Sequence, residues 1–433
     1  MRYFLNLCYL ALLLAVSPIL LYRMVRHNKY RAGFGEKFLG QVPLRVERKK
    51  TCIWFHAVSV GEVGLLEPIL REIKKQDPEL HCVISTTTRT GMEVAKKKFG
   101  ERYSLFYCPL DFSWAVANAM RRIAPDLLVL VELELWPQLI AFAQRRGCKV
   151  AVVNGRLSEN SFRGYSRIRF FLRRLFKKID LFAVQDSTYA ERFKALGASP
   201  ERLHTTGSIK FDGIETDRDN PSSLHLAKLA GLTETPVFLA GSTQAPEEEY
   251  ALSAFLAARK VEPDLRLILV PRHPERFSEV AALATQFAEK NSLRFLRRSE
   301  LDEAIPEDSR GCDILLVDAM GELGAWWGTA KIAFVGGSLG SNRGGQNMLE
   351  PAGFGCAISF GPNTTNFREI VAMFQNAEAA TVVHSPEELA EFVTRCCSDA
   401  TYATQLGENA RQLVASQQGA AEQTVTLLLR LRD

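Results

Sequence analysis

The stretch Thr51-Cys52-Ile53-Trp54-Phe55-His56-Ala57-Val58-Ser59-Val60-Gly61-Glu62 decides the fold. An apolar run, Thr51 to Phe55, ends at a tight turn, and an amphipathic run, Val63 to Ile73, follows. The pattern predicts a strand passing through a short loop into a helix, with an acid at the helix start. Such junctions lie at the carboxyl ends of strands, where open α/β sheets place their ligands. Glu62 has two readings. Ser59-x-x-Glu62 ahead of an apolar run is a capping box, whose side chains satisfy orphan amides reciprocally. A carboxylate at a strand end is equally placed to act as a catalytic acid or base.

The same alternation continues outward. Strand-like runs at Cys52–Phe55, Cys82–Thr86, Leu105–Cys108, Leu127–Val131, Val150–Val153 and Leu181–Val184 alternate with helical patterns such as Glu62–Gln76, Ser113–Ile123 and Trp136–Arg146. A second series, Val237–Ala240, Leu267–Val270, Ile314–Val317, Ile332–Val335 and Ala357–Phe360, follows a polar, Pro-containing stretch. Alternating strands and helices argue for parallel βαβ units. The expectation is an α/β protein of two Rossmann-like, doubly wound domains facing a cleft. Its parts are an anchor at 1–24, a basic segment at 25–50, a first domain at 51–212, a linker at 213–223 and a second domain at 224–433. Pro386 to Leu431 reads as helix throughout.

At 433 residues, 47% hydrophobic and 24% charged, the chain is globular and too long for one ordinary core. Nine cysteines without C-x-x-C spacing indicate neither a disulfide framework nor a zinc site. Tyr3 to Tyr22 holds twenty residues without a charge, just enough to span a bilayer as a helix. Asn6, Ser17 and Pro18 weaken that reading and leave an interfacial helix open. From Arg23 to Lys50 there are nine Lys/Arg against two acids, which by the positive-inside rule puts the rest of the chain in the cytoplasm. Ser161 to Ile179 carries seven Lys/Arg and no acid, interleaved with Phe and Leu. That suits either an anionic membrane surface or a crossover helix with a solvated charged face. No recognised RNA- or DNA-binding motif accompanies it, so nucleic acid is not an expected partner.

Chemistry-bearing residues cluster at predicted strand ends. Glu132 and Glu134 close an apolar strand and, if the backbone stays extended, share one face of it. Lys210 sits at the domain junction, where a cation would meet a substrate carboxylate. Pro271-Arg272 follows a strand, and Arg offers a fork for phosphate. Met320-Gly321-Glu322 opens a helix, and so does Gly344-Gly345-Gln346-Asn347-Met348-Leu349-Glu350. With Gly336-Gly337-Ser338 these glycines suggest an amide-lined phosphate site, although G-x-G-x-x-G spacing is absent.

Together HAVSVGE, ELELWP, NGRLSE, TGSIKFD, VPRHPERF, MGEL, GGSL and GGQNMLEP, in this order, resemble the motif set of the 3-deoxy-D-manno-octulosonic acid (Kdo) transferases of lipid A biosynthesis. The resemblance runs over nearly the whole chain. It implies a GT-B glycosyltransferase, metal-independent and inverting, that moves Kdo from CMP-Kdo to a lipid A precursor at the cytoplasmic face of the bacterial inner membrane. Carried over, Glu62 would be the proton acceptor, and Glu132 and Lys210 would stabilise the transition state. Pro271, Arg272, Met320, Gly321, Glu322, Asn347, Met348, Leu349 and Glu350 would hold CMP. The chain departs from the family pattern at Leu133, where Thr is usual, and at Gln346-Asn347-Met348, where His-Asn-Pro is usual.

Overall fold

The computed structural model describes residues 2–27, 32–232, 235–301, 311–340 and 343–432. Lys29 and Arg31 of the basic segment lie outside the described residues. The chain forms two compact units, Met1–Gly213 with Gln417–Asp433, and Ile214–Ser416.

The first unit carries strands β1 (Cys52–His56), β2 (His81–Thr86), β3 (Ser104–Tyr107), β4 (Leu127–Val131), β5 (Lys149–Gly155), β6 (Leu181–Val184) and β7 (Leu203–Thr205). They form one parallel sheet in the order β3-β2-β1-β4-β5-β6-β7. Alternate side chains of β1 enter opposite cores: Cys52 and Trp54 pack with the layer of Met120 and Leu139, Ile53 and Phe55 with that of Val63 and Leu66. Because both faces are covered, all five β1 residues are buried. Strand order reverses between β1 and β4, so the loops leaving these two strands flank a topological switch point.

The second unit carries β8 (Val237–Thr243), β9 (Arg266–Pro271), β10 (Phe295–Arg297), β11 (Ile314–Leu316), β12 (Ile332–Val335), β13 (Ala357–Phe360) and β14 (Thr381–Val382). Its parallel sheet runs β10-β11-β9-β8-β12-β13-β14. The switch point here falls between β8 and β12.

Four features differ from expectation. The C-terminal helix Ala420–Arg432 belongs to the first unit, not the second. Its apolar stripe, Ala421, Val425 and Leu428, is buried with Val63 and Ile69, and Asp212 Oδ1 and Oδ2 accept from the Gly419 and Ala421 amides at 2.6 and 3.1 Å. The stretch 386–431 is three helices broken at Asp399 and at Gln418-Gly419. Residues expected as a linker are built into the second unit: the Arg218 guanidinium donates to the Phe354 and Gly328 carbonyls at 2.6 and 2.9 Å, and Asn220 caps the helix Pro221–Leu229. The basic stretch near residue 170 is likewise two short helices, Glu159–Ser166 and Arg169–Phe176. They bury Leu172 and Phe176 but leave Phe170 and Phe171 exposed.

The expected anchor is the helix Arg2–His27. Among the described residues no helix is long and apolar enough to cross a membrane. Asn6 and Tyr9, inside the uncharged stretch, hydrogen-bond to Ser113 and Asp111 of the first unit. Leu7, Leu12 and Leu14 remain exposed.

Candidate active site

In the first unit the capping box forms in full. Ser59 Oγ accepts from the Glu62 amide at 3.4 Å, and Glu62 Oε1 accepts from the Ser59 amide and hydroxyl at 3.3 and 2.7 Å. Glu62 Oε2 accepts from the Val58 amide at 2.8 Å. The carboxylate is thus fixed against its own loop and is 8% exposed. Burial raises its pKa. The bonds from Val58 and Ser59 oppose that rise, and the Glu132 charge adds to it. The helix-start position alone predicts a carboxyl held ionised. Here desolvation prevails, and the group is a stronger base than an exposed glutamate.

Across the switch point, β4 ends at Val131 and Glu132 turns with φ 58°, so Glu132 and Glu134 do not share the face of an extended strand. Glu132 donates its amide to the Val153 carbonyl at 2.9 Å and pairs with Arg156 at 2.9 Å. Glu134 accepts from Trp136 Nε1 at 3.1 Å. Burial raises the Glu134 pKa, and the charges of Glu62 and Glu132 raise it further. At the ends of β1 and β4 three carboxylates therefore lie near enough to feel one another's charge. Leu133, the departure from the family pattern, packs on the core beneath.

Lys210 is reached from β5. Asn154, wholly buried with φ 52°, accepts from the Ile209 amide at 3.0 Å and so ties the Ser208–Asp212 turn to this sheet edge, with Lys210 exposed on it. Asn154 Nδ2 and His56 Nε2 are buried without a hydrogen-bond partner among the described residues. His56 Nδ1 meets Ser85 Oγ at 2.9 Å, and its ring stands edge-on to Trp136 at 5.7 Å. Burial lowers the His56 pKa to about 4, so the imidazole is neutral. Neither Asn154 nor His56 was singled out from sequence, although both lie in the motifs quoted above.

In the second unit the expected donor-site residues gather at the carboxyl ends of β9, β11 and β12 and just beyond. Pro271 ends β9, and the Arg272 amide bonds the Thr243 carbonyl at 3.0 Å while its side chain is exposed. Met320 is exposed, Gly321 has φ 90°, and the Glu322 carboxylate takes a two-pronged bond from Arg298 at 2.9 and 3.1 Å. Asn347 Nδ2 donates to Glu350 Oε1 at 3.0 Å. A Cβ added at Gly324 would stand 4.0 Å from Glu350 Oε2, so the Met320–Glu322 and Asn347–Glu350 segments are neighbours. Met348 and Leu349 are buried in the core and offer a ligand only their backbone.

The glycine loop after β12 is not the open phosphate cradle its sequence suggests. Glu247, wholly buried, accepts from the amides of Gln244, Gly337, Ser338 and Leu339 at 2.7–2.9 Å. Gly336 is required by this closeness, because a Cβ there would lie 2.8 Å from Glu247 Oε2. The Gly345 amide is also taken, by the Gly337 carbonyl at 2.9 Å. What remains open beside this loop is Thr243 Oγ1 and Gln244 Oε1, both buried without a partner among the described residues. Sequence reading missed Glu247 because Glu247-Glu248-Glu249 resembles an ordinary acidic first turn. Glu248 is also buried and pairs with Arg276 at 2.6 Å. Among the described residues no group of three His, Cys, Asp or Glu side chains is arranged to hold a metal ion.

Residues 28–213 match the family model described as 3-Deoxy-D-manno-octulosonic-acid transferase (kdotransferase). A 3-deoxy-D-manno-octulosonic acid transferase of Haemophilus influenzae is 32% identical over 427 residues, 97% of each chain. The transferase of Chlamydophila psittaci is 33% identical over 83% of this chain and 81% of its own. The chain belongs to the Kdo transferase family. It is therefore an enzyme, a glycosyltransferase. Among solved structures, UDP-GlcNAc 2-epimerase from Neisseria meningitidis aligns with TM-score 0.56 over 88% of this chain and all of that one. At 11% identity it supports the GT-B-like fold alone.

The neutral, buried His56 gives a pH prediction. Its folded pKa lies below the ordinary value near 6.5, so the native state binds fewer protons than the unfolded chain. The stability it confers is complete above pH of about 6.5 and is lost as pH falls toward about 4, a window worth on the order of a few kcal/mol. Urea unfolding at pH 7 and pH 4.5 should show a smaller drop for His56→Gln than for wild type; equal drops would mean that the imidazole is not buried in its neutral form.

Proposed function

We propose that this enzyme transfers Kdo with inversion from CMP-Kdo to a lipid A precursor of the lipid IVA type, in lipopolysaccharide biosynthesis. The observation that carries the reading is the meeting of Glu62, Glu132 and Glu134 at the switch point, with Glu62 oriented and its proton affinity raised. In the transfer, a hydroxyl of the acceptor attacks the anomeric carbon of Kdo. The bond from that carbon to the phosphate oxygen breaks, and the electron pair leaves on CMP. The hydroxyl proton passes to Glu62 Oε2, which accepts one bond, from Val58, among the described residues and so keeps a lone pair. Glu132 and Lys210 stabilise the charge that develops on the sugar.

At the donor, Pro271 and Arg272, Met320 to Glu322, and Asn347 to Glu350 hold CMP. Arg272 is the residue assigned to its phosphate, since the amides of Gly337, Ser338 and Leu339 are committed to Glu247. Glu350 accepts from the ribose hydroxyls. Stabilisation of the leaving phosphate by a guanidinium needs no divalent ion, and the reaction is proposed to be metal-independent.

The enzyme rests on the cytoplasmic side of the bacterial inner membrane, attached through an interface rather than a span. Exposed Leu7, Leu12 and Leu14, and Phe170 and Phe171 beside Arg169, Arg173 and Arg174, support contact with an anionic lipid surface. Phe170→Ser with Phe171→Ser should weaken sedimentation with phosphatidylglycerol vesicles at least several-fold; undiminished binding would remove these residues from the interface.

Glu62→Gln keeps the Ser59 capping bonds through its one carbonyl oxygen, gives up the Val58 amide bond and removes the base. It should lower kcat by roughly 10²–10⁴-fold with little change in Tm, whereas Arg272→Ala should raise KM for CMP-Kdo about tenfold or more. Wild-type turnover by Glu62→Gln would refute the base assignment, and an unchanged donor KM would refute that of Arg272.

A further inference from the structure

The helix Pro137–Arg145 starts directly after the loop Glu132–Trp136 and has no side-chain cap of its own, because Trp136 occupies its N-cap position. Its cap comes from elsewhere in the unit. Asp111, 5% exposed, accepts from the Gln138 amide through Oδ2 at 2.9 Å and from the Leu139 amide through Oδ1 at 2.8 Å. The same Oδ2 accepts from the Tyr9 hydroxyl at 3.0 Å. The Gln138 side chain donates to Asn6 Oδ1 and to the Asp111 carbonyl, both at 2.7 Å. Asn6 closes the network through Ser113, donating to its Oγ at 2.8 Å and accepting from its amide at 3.0 Å.

Asn6 and Tyr9 are three residues apart and so share one face of the amino-terminal helix. Apolar contact alone would let that helix slide or rotate on the unit. Two directional side chains, meeting a buried carboxylate and a buried amide, fix its register. The network also fixes the far end of the loop that bears two of the three carboxylates. One end of this loop is set by β4 at Val131, the other by the Asp111-bound amides of Gln138 and Leu139. Trp136, which meets the His56 ring, lies just before the second point.

We propose that Asn6 and Tyr9 are positioning residues for the transfer, holding the loop of Glu132, Glu134 and Trp136 through Asp111 and Gln138. The helix whose outer face meets the lipid surface then sets the geometry of the acidic centre through its inner face. A catalytic group displaced by about 1 Å loses on the order of 10²-fold in rate, so a modest shift of this loop is sufficient to register. The proposal rests on the reading of the acidic centre as the site of chemistry.

The test uses the full-length enzyme with CMP-Kdo and a lipid acceptor in detergent micelles, where vesicle attachment does not limit turnover. Asn6→Ala with Tyr9→Phe should lower kcat ten- to a hundredfold, leave KM for CMP-Kdo unchanged, and speed hydrogen exchange at the Gln138 and Leu139 amides. If the double variant does not fold, Tyr9→Phe alone, which removes one hydroxyl and keeps the ring, should shift kcat and exchange in the same directions. Near-wild-type kcat overturns the proposal whether or not exchange accelerates. Glu62→Gln measured alongside separates the two ideas: its inactivity leaves the acidic centre standing when the Asn6 and Tyr9 variants are active, and its full activity overturns the acidic centre itself.

Discussion

A buried backbone amide must find an acceptor, and leaving one unpaired costs on the order of 1–3 kcal/mol. In this protein the acceptor is repeatedly a carboxylate, local in the case of Glu62 and reached from another segment in the others. Glu62 takes the amides of Val58 and Ser59, Asp111 those of Gln138 and Leu139, Asp212 those of Gly419 and Ala421, and Glu247 those of four residues around the β12 loop. Each clasp joins parts of the chain that a strand or helix alone would leave free to move. The Asp212 clasp returns the C-terminal helix to the first sheet. That of Glu247 closes the switch-point loop of the second.

This habit explains which readings of the sequence hold. The main strands of both sheets are legible because parallel strands covered on both faces are continuous apolar runs. The strands that escape notice, β7, β10 and β14, are two or three residues long, with half-buried or exposed positions and no apolar run to mark them. The C-terminal helix is legible as a helix but not as a member of the first unit, because its apolar stripe is equally suited to either sheet. The break at Arg167–Ile168 is invisible because basic and aromatic residues continue through it.

The site was legible as a set of strand ends and less so as chemistry. Glycines after β12 read as a phosphate cradle, since exposed glycine amides do bind anions. The anion they bind is one of the protein's own, 90 residues earlier in the sequence than Gly337, and nothing local to Gly336-Gly337-Ser338 announces Glu247. Likewise the pairing of Glu132 with Glu134 depended on an extended backbone, which the φ of 58° at Glu132 ends. Glu132 is turned instead toward Arg156, while burial raises the pKa values of Glu134 and Glu62.

The cap at Glu62 is formed, and the proposed base would use the same carboxylate. Capping sets the position of the carboxylate: two amides and one hydroxyl hold it in a single orientation, and each of those bonds favours the ionised form. Burial and the neighbouring negative charges favour the protonated form, and they prevail. A glutamate governed by the cap alone would be well placed but a feeble base, and one governed by burial alone would be a better base without a fixed direction. Because the opposing influences act on the same atoms, a fixed orientation and a raised proton affinity belong to one carboxylate, which is what the proposed base requires. The helix start is therefore the structural means by which the proposed base is oriented, and burial, with the Glu132 charge added, is what keeps it from being an ordinary cap.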